Sequence, residues 1–242
     1  MARATIGRMA QFIIATRNRH KAEEIRDILT GPHSFLTLAE FGDAPILEED
    51  EDTFAGNASR KAIKLALWVG SSRESKRIIS GDEVWVMADD SGLEVDALNG
   101  APGVHSARFA ALDTGLPHNS TDAENNAKLI RLLADVPPER RTARFRCVLA
   151  VVPLQVQSPA ASPASQTANE SELAARTELF EGVCPGRMIV TPSGNGGFGY
   201  DPLFIPDGYD RSFAELDPAI KNRISHRAKA VAKLQSRLSQ LG

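Results

Sequence analysis

The chain has 242 residues, of which 42% are hydrophobic and 24% are charged, and its formal net charge is −3. This composition is typical of a globular protein long enough to bury a substantial core. The weak negative charge argues against nucleic acid or a membrane surface as the main partner. Residues 1–11 lack the apolar core of a secretory signal, and no apolar run approaches a membrane span. We therefore expect a cytoplasmic protein with a loose N-terminal extension over residues 1–11.

The first strand, turn and helix form a candidate phosphate cradle. Residues 12–15 are a compact apolar strand, and apolar positions after residue 24 indicate a helix that ends near Gly31. Asn18 is the expected N-cap. A polar turn leading into a helix presents backbone N–H groups to an anion, and Lys21 adds a charge there. The alternative is an ordinary capped helix with solvated cations.

An acidic run over residues 48–52 leads into the next predicted helix. Thr53 is the expected N-cap, and Asn57 and Lys61 lie four residues apart on neighbouring parts of one face. Such runs are usually solvated loops. Here the run places carboxylates at the start of a helix that carries a lysine about two turns further on.

Two adjacent carboxylates follow the central apolar run. Residues 83–87 predict a buried strand that stops before Asp89 and Asp90, and residues 93–98 predict the next strand. Adjacent carboxylates repel each other, so both stay ionised only beside cations, hydrogen bonds or water. Oxygen ligands suit Mg²⁺, which favours phosphate-bearing substrates. A plain polar turn is the alternative.

The second half of the chain contains longer predicted strands. Residues 142–153 form one strand, and its partner is expected over residues 174–183, with a break at 184–186 and a continuation to 191. The segment 155–172 is rich in Ser, Ala, Pro and Gln, which predicts a mobile insertion without catalytic content. Cys147 and Cys184 lie in apolar runs, so we predict buried thiols with no zinc site or disulfide framework.

Two further stretches are candidate ligand contacts. Four glycines within residues 193–202 permit close backbone approach to a ligand, although a plain glycine-rich loop is the alternative. Near the C-terminus, Lys221, His226 and Arg227 lie close to the start of a helix with a clear apolar stripe, for which Ser225 is the expected cap. Positive charge at a helix start is unfavourable unless an anion or an electron-rich ligand edge joins it.

Alternating strands and helices predict an α/β protein with a mixed sheet, in two lobes. No internal repeat and no shift in composition marks a domain boundary. We therefore expect residues 12–242 to form a single domain that carries the insertion at about 155–172.

The order of these motifs resembles the inosine triphosphate pyrophosphatase family, the Ham1-like house-cleaning enzymes. The resemblance covers residues 12–238 apart from the insertion. It rests on motifs that begin at Thr16, Thr53, Asp89, Gly100, Gly196 and Ser225. It implies an elongated mixed β-sheet flanked by helices, an active-site cleft between two lobes, and a homodimer. It also implies Mg²⁺-dependent hydrolysis of ITP, dITP and XTP to the monophosphate and pyrophosphate.

The resemblance also implies roles for individual residues. Asp90 is the expected general base and a metal ligand. Glu49 is the expected second metal ligand, with Glu48, Asp50 and Glu51 as neighbouring candidates. The expected substrate contacts are Thr16, Arg17, Asn18, Arg19, His20, Lys21, Lys61, Ser91, Phe198, Gly199, Tyr200, Asp201, Lys221, His226 and Arg227.

The chain departs from the family pattern at two positions. Arg17 occupies a place where a small residue is common, which changes the charge of the phosphate cradle. His105 occupies a place where an aromatic residue is common.

Two other functions remain open from the sequence. One is a Maf-like pyrophosphatase acting on modified pyrimidine nucleotides, and the other is a non-catalytic nucleotide-binding module. An aspartyl-phosphate phosphatase is disfavoured because the Asp89-Asp90 pair lacks the Asp-x-Asp spacing of such enzymes.

Overall fold

The computed structural model describes residues 9–79, 83–115, 118–155 and 168–241. The predicted N-terminal extension lies mostly outside these residues, as does most of the predicted insertion. The predictions of a single domain and of a mobile insertion therefore stay predictions. Near the N-terminus, Ala10 and Gln11 are buried, and the first strand begins at Gln11.

Strands and helices alternate along the described chain, as an α/β protein requires. The strands are β1 (Gln11–Ile14), β2 (Ser34–Thr37), β3 (Glu83–Val95), β4 (Thr142–Gln155), β5 (Glu178–Met188) and β6 (Phe204–Pro206). The helices are α1 (Arg19–Ile28), α2 (Phe54–Ser71), α3 (Ser75–Ile78), α4 (Asp122–Leu133), α5 (Glu170–Arg176), α6 (Pro218–Ile224) and α7 (His226–Ser239).

The described strands form a six-stranded sheet in the order β2-β1-β3-β4-β5-β6. Strand β1 is parallel to both β2 and β3, whereas β5 and β6 are antiparallel. The sheet is therefore mixed. This confirms the predicted α/β class with a mixed sheet flanked by helices.

The chain divides into two compact units. Unit 1 contains Met1–Asp90, Val148–Phe180 and Val231–Gly242, and unit 2 contains Ser91–Cys147 and Glu181–Ala230. Strand β3 passes from unit 1 into unit 2 immediately after Asp90.

Each unit has its own buried core. In unit 1, β1 contributes Phe12, Ile13 and Ile14, all fully buried, and α2 contributes a buried face that includes Ala58 and Leu65. In unit 2, one cluster of buried residues joins aliphatic side chains from β3 and α4 to the aromatic rings of Phe145, Phe204 and Phe213. Burial of apolar surface on this scale is the main term that stabilises each unit.

Local cap chemistry explains three helix starts, and it confirms the predicted caps Asn18 and Thr53. The side chain of Asn18 accepts a hydrogen bond from the backbone N–H of Lys21 and begins α1. Thr53 accepts from the backbone N–H of Gly56 and begins α2, and Thr121 forms a capping box at α4. Each cap satisfies N–H groups that the first helical turn leaves without partners.

The prediction that the central strand stops before Asp89 was wrong. Strand β3 runs for 13 residues without interruption and contains Asp89, Asp90 and Gly92. The prediction of a separate strand over 93–98 was also wrong, because β3 continues to Val95 and a short 3₁₀ turn follows. Tertiary partners override the low strand propensity of these residues.

Two further predictions in the second half of the chain were wrong. Residues 174–176 belong to helix α5 and not to a strand, because Asn169 and Glu172 form a capping box that begins the helix. The expected break at 184–186 is also absent, since β5 continues to Met188 and Gly186 pairs with Pro206 of β6. Both cysteines are buried and free, as predicted, and burial raises the pKa of Cys184 to about 11.

No helix within the described residues combines the length and the apolar character that crossing a membrane requires.

Candidate active site

Unit 1 contains a group of four charged side chains and one amide, all buried except the partly exposed Glu49. We call it the carboxylate–lysine cluster: Glu49, Asn57, Lys61, Asp89 and Asp90. Asp89 and Asp90 are adjacent in β3, and successive side chains of a strand point to opposite faces. The two carboxylates therefore contact different elements. Asp89 meets Lys21 of α1, whereas Asp90 meets Asn57 and Lys61 of α2.

Lys61 is at the centre of this cluster. Its side chain is only 4% exposed, and its Nζ donates to Glu49 Oε1 at 2.6 Å, to the Asp89 carbonyl at 2.8 Å and to Asp90 Oδ1 at 3.1 Å. Burial alone would lower the pKa of this ammonium, but Asp90 and Glu49 outweigh burial and raise it. Lys61 therefore stays charged.

Asp90 is held by donors on both carboxylate oxygens. Oδ1 accepts from Lys61, and Oδ2 accepts from the Asn57 amide at 3.2 Å. Burial raises the pKa of Asp90 above its usual value, with Lys61 and Lys21 opposing the shift and Glu49 adding to it. A fixed carboxylate with a raised pKa is a better proton acceptor than a solvated one.

Asp89 is paired with the lysine of the predicted phosphate cradle. Lys21 Nζ lies 2.5 Å from Asp89 Oδ1, and the Asp89 side chain is completely buried. The Lys21 side chain is 18% exposed, so it remains within reach of a ligand at the surface.

The structure distinguishes the four neighbouring acids of the 48–51 run. Glu49 is the one that contacts Lys61. Glu48 lies 3.1 Å from Lys64, and both Asp50 and Glu51 pair with Arg60 on the exposed side of α2. The backbone of Glu51 is fixed by Asn57, whose amide group bonds its N–H and its carbonyl.

The predicted phosphate cradle has the expected backbone conformation. Thr16 Oγ1 accepts from the backbone N–H of Asn18, which in turn caps α1. Arg19 and His20 are exposed and lie beside Glu23, with Arg19 Nε 2.7 Å from its carboxylate. Arg17 is exposed, and within the described part of the chain its guanidinium forms no ion pair or hydrogen bond.

The donor set of the cluster fits Mg²⁺. Among the described residues, no group of three or more His, Cys, Asp or Glu side chains is placed to hold a metal ion. Mg²⁺, however, is usually held by one or two carboxylates, with water and substrate phosphates completing its shell. Glu49 and Asp90 supply such a pair of oxygen ligands, since both reach the same ammonium group.

Unit 2 contains a second buried ion pair, between Lys221 of α6 and Asp201. Lys221 Nζ lies 2.5 Å from Asp201 Oδ2, and the two side chains are 7% and 4% exposed. Asp201 also accepts from the backbone N–H of Phe198. Gly197 has a φ of +70°, and a Cβ there would overlap the Asp201 carboxylate, so this tight turn requires glycine.

Phe198 lies beside two cations. Lys221 Nζ is 4.7 Å from its ring centroid and the Arg227 guanidinium carbon is 5.9 Å from it. Arg227 is itself buried and donates to Ser91 Oγ at 3.3 Å. The ring is half-buried and its surroundings are cationic, which suits an electron-rich ligand.

His226 and Tyr200, two of the predicted substrate contacts, are almost completely buried. His226 is 5% exposed and stacks on Phe145 with ring centroids 4.9 Å apart. The Tyr200 hydroxyl donates to the Ser106 carbonyl at 2.8 Å, and burial raises its pKa well above the usual value. Both side chains therefore contact the protein interior in unit 2. Their predicted contacts with substrate stay predictions.

Asn57 and Asn126 were absent from the predicted site residues, and Asp89 was expected only as a supporting or metal-facing group. Asn57 and Asp89 complete the carboxylate–lysine cluster, and the spacing of Asn57 to Lys61 was the signal for the first of them. Asn126 of α4 donates to the Gly199 carbonyl at 3.0 Å and fixes the glycine-rich loop. That contact joins residues 73 positions apart in sequence, so no local sequence pattern predicts it.

Each unit of this α/β protein therefore contains a buried lysine that contacts a buried carboxylate. A family model described as the Ham1 family matches residues 12–237. Since that match spans most of the chain, the chain belongs to the Ham1 family, and the predicted resemblance is confirmed.

Known relatives agree over nearly the full length. The chain is 41% identical over 232 residues to a dITP/XTP pyrophosphatase of Desulforamulus reducens, with 96% of each chain covered. It is 42% identical to a dITP/XTP pyrophosphatase of Opitutus terrae, over 91% of this chain and 95% of that one. The structure of a HAM1 protein from Coxiella burnetii is similar, with a TM-score of 0.72, 33% identity, and coverage of 96% and 100%.

Proposed function

We propose that this chain is a Mg²⁺-dependent nucleoside triphosphate pyrophosphatase that hydrolyses the non-canonical purine nucleotides ITP, dITP and XTP to the monophosphate and pyrophosphate. Such an activity cleanses the nucleotide pool. The observation that supports it most directly is the buried contact of Asp90 with Lys61, beside Glu49, in a chain of the Ham1 family. The relatives named above are dITP/XTP pyrophosphatases, which supports a pyrophosphatase reaction on dITP and XTP.

The carboxylate–lysine cluster would handle the phosphates. Its three carboxylates, Glu49, Asp89 and Asp90, exceed its own lysine and Lys21 by one negative charge. A triphosphate is itself strongly anionic, so the cluster needs additional positive charge when substrate binds. Mg²⁺ held by Glu49 and Asp90 would supply that charge and stabilise the negative oxygens of the phosphates.

Asp90 would act as the general base. Its carboxylate accepts a proton from the attacking water, the water oxygen bonds to phosphorus, and the α–β phosphoanhydride bond breaks with its electron pair leaving on the pyrophosphate oxygen. Asn57 and Lys61 fix the carboxylate for this step. Lys21 and Lys61 would also contact phosphate oxygens and stabilise the charge that develops on them.

The group in unit 2 would recognise the base. Phe198 offers a stacking face, and Lys221 and Arg227 are donors beside it. Donors match the oxo groups of hypoxanthine and xanthine. An amino group on adenine or guanine would bring a second donor against them, and an unmatched polar group is costly to bury.

Substrate selectivity tests this proposal. We expect kcat/KM for dITP and XTP, measured with Mg²⁺, to exceed that for dATP and dGTP by at least about 100-fold, the size of discrimination that mismatched polar groups produce. Equal turnover of all four nucleotides would contradict it. Tight binding of dITP without any hydrolysis would instead favour a non-catalytic nucleotide-binding module.

Arg17 should strengthen triphosphate binding. It is an exposed cation in the cradle turn, whereas its neighbour Arg19 pairs with Glu23. We expect Arg17→Gly to raise KM for dITP by about 3- to 10-fold, with kcat little changed, because a unit charge near the phosphates adds modest attraction in water. The effect should shrink at high salt. Arg19→Gly is the matched comparison and should change KM less, and an equal or larger effect there would contradict this role of Arg17.

We also infer a homodimer and a cytoplasmic location. Both rest on the family resemblance, and a cytoplasmic location suits an enzyme that acts on free nucleotides. Light scattering coupled to size-exclusion chromatography tests the first inference, for which a mass near twice 26.1 kDa is expected.

A further inference from the structure

The ammonium group of Lys61 lies where the two proposed metal ligands meet. It bonds Glu49 Oε1 at 2.6 Å and Asp90 Oδ1 at 3.1 Å, and its third acceptor is the Asp89 carbonyl at 2.8 Å. A lysine ammonium has three N–H donors. All three are therefore used by the protein itself, so Lys61 has no donor left for a phosphate in this arrangement.

A divalent cation bound at this site would use carboxylate oxygens of Glu49 and Asp90, which already accept from Lys61. Asp90 Oδ2 already accepts from Asn57 and Oδ1 from Lys61. A cation bound to Glu49 and Asp90 would lie close to the ammonium, and two like charges at short distance repel each other strongly in a partly buried site. Lys61 and the metal therefore compete for one pair of carboxylates.

We propose that Lys61 occupies the metal site as a counter-ion: it holds Glu49 and Asp90 together before the metal binds, and it gives up its bond to Glu49 when the metal enters. The N–H donor that this exchange releases then bonds a phosphate oxygen. This proposal rests on the proposed function, because it assumes that Glu49 and Asp90 are the metal ligands.

Exposure indicates which bond is exchanged. The Glu49 side chain is 32% exposed, whereas those of Lys61 and Asp90 are 4% and 6% exposed. Asp90 is also fixed by Asn57, and the Asp89 carbonyl belongs to the backbone of β3. Glu49 precedes α2 in an irregular segment, so its side chain is the partner that can turn towards a cation with the least rearrangement.

The exchange predicts opposite effects of one substitution on two ligands. Lys61→Gln removes the competing charge, so Mn²⁺ without nucleotide should bind about tenfold tighter, since even a fraction of the Coulomb repulsion at this distance is worth a factor of ten. The same substitution removes a phosphate partner. Pyrophosphate should therefore bind about tenfold more weakly.

Electron paramagnetic resonance of Mn²⁺, titrated into the full chain without nucleotide, measures the first effect. Lys61→Arg keeps the charge and should leave Mn²⁺ affinity near that of the original chain. Lys64→Gln is the matched control, because Lys64 is on the same helix but pairs with exposed Glu48. The proposal is overturned if Lys61→Gln binds Mn²⁺ no tighter than the original chain, or if Lys64→Gln gives the same gain.

A measurement on the unsubstituted protein covers the case in which Lys61→Gln does not fold. In ¹⁵N spectra of lysine ammonium groups, the Lys61 signal is assigned by its loss in Lys61→Arg. Mg²⁺ alone should shift that signal, and it should leave unchanged the signal of Lys128, a buried lysine that pairs with Asp113. An unmoved Lys61 signal would overturn the exchange. Failure of dITP hydrolysis would contradict the proposed function but would leave these metal measurements interpretable.

Discussion

Replacing Asp90 by asparagine should lower kcat for dITP hydrolysis by about 10³-fold, which is the usual size of a general-base contribution. The amide cannot accept the proton of the attacking water, and it also weakens one proposed metal ligand. The fold should survive, because asparagine has nearly the same shape as aspartate. The substitution also removes the buried charge of Asp90, a carboxyl group whose pKa is raised by burial. One of its hydrogen bonds is lost, since the new amide presents a donor to either Lys61 or Asn57.

Asp89→Asn is the matched control for this experiment. It removes the neighbouring carboxylate, which pairs with Lys21 and has no proposed proton-transfer role. We expect a loss of about tenfold in kcat/KM from weaker positioning of Lys21, the size of one lost hydrogen bond to a charged group. Near-normal turnover by the Asp90→Asn chain, with its circular dichroism spectrum intact, would remove Asp90 from the role of base.

Breaking the buried pair in unit 2 should have the largest effect on stability. Lys221→Met leaves the Asp201 carboxylate without the ammonium group that lies 2.5 Å away, although both side chains are almost fully buried. Removing one partner of a buried ion pair costs about 3–5 kcal/mol in the free energy of unfolding. For a chain of this size we expect a fall in Tm on the order of 10 °C, measured by thermal unfolding. The KM for dITP should rise as well, because Lys221 contacts Phe198.

Two further variants distinguish the effect of breaking the ion pair from the effect of losing any one positive charge. Lys229→Met removes an exposed lysine of α7 that bonds a backbone carbonyl, and it should change the free energy of unfolding by less than about 1 kcal/mol. Lys221→Met combined with Asp201→Asn removes both charges and should be more stable than Lys221→Met alone. A double substitution that is less stable than the single one would contradict a charge-based explanation.

The parts of the fold that depend on neighbours in sequence were predictable. Asn18, Thr53 and Thr121 begin helices because each accepts a hydrogen bond from the backbone N–H three residues further on. Helix α5 had the same kind of signal in Asn169 and Glu172, but it adjoined a low-complexity run and was missed. Helix α6 was likewise missed, although Asp217 followed by Pro218 is a normal helix start.

The continuation of the central strand beyond residue 87 was not predictable from local sequence. Asp89, Asp90 and Gly92 all disfavour a strand, and what keeps the two carboxylates inside β3 is the pairing with distant lysines. Lys21 is 68 residues from Asp89, and Lys61 is 29 residues from Asp90. The family resemblance predicts Lys61 as a phosphate contact, and the structure adds that its three donors are already used by the protein.

The central claim is that this chain cleaves the α–β phosphoanhydride bond of non-canonical purine triphosphates. Phosphorus NMR of a reaction containing the chain, dITP and Mg²⁺ tests it most directly, because it identifies each phosphate product. We predict dIMP and pyrophosphate in equal amounts, with no release of orthophosphate. Orthophosphate together with dIDP would contradict the claim, since those products require cleavage of the β–γ bond.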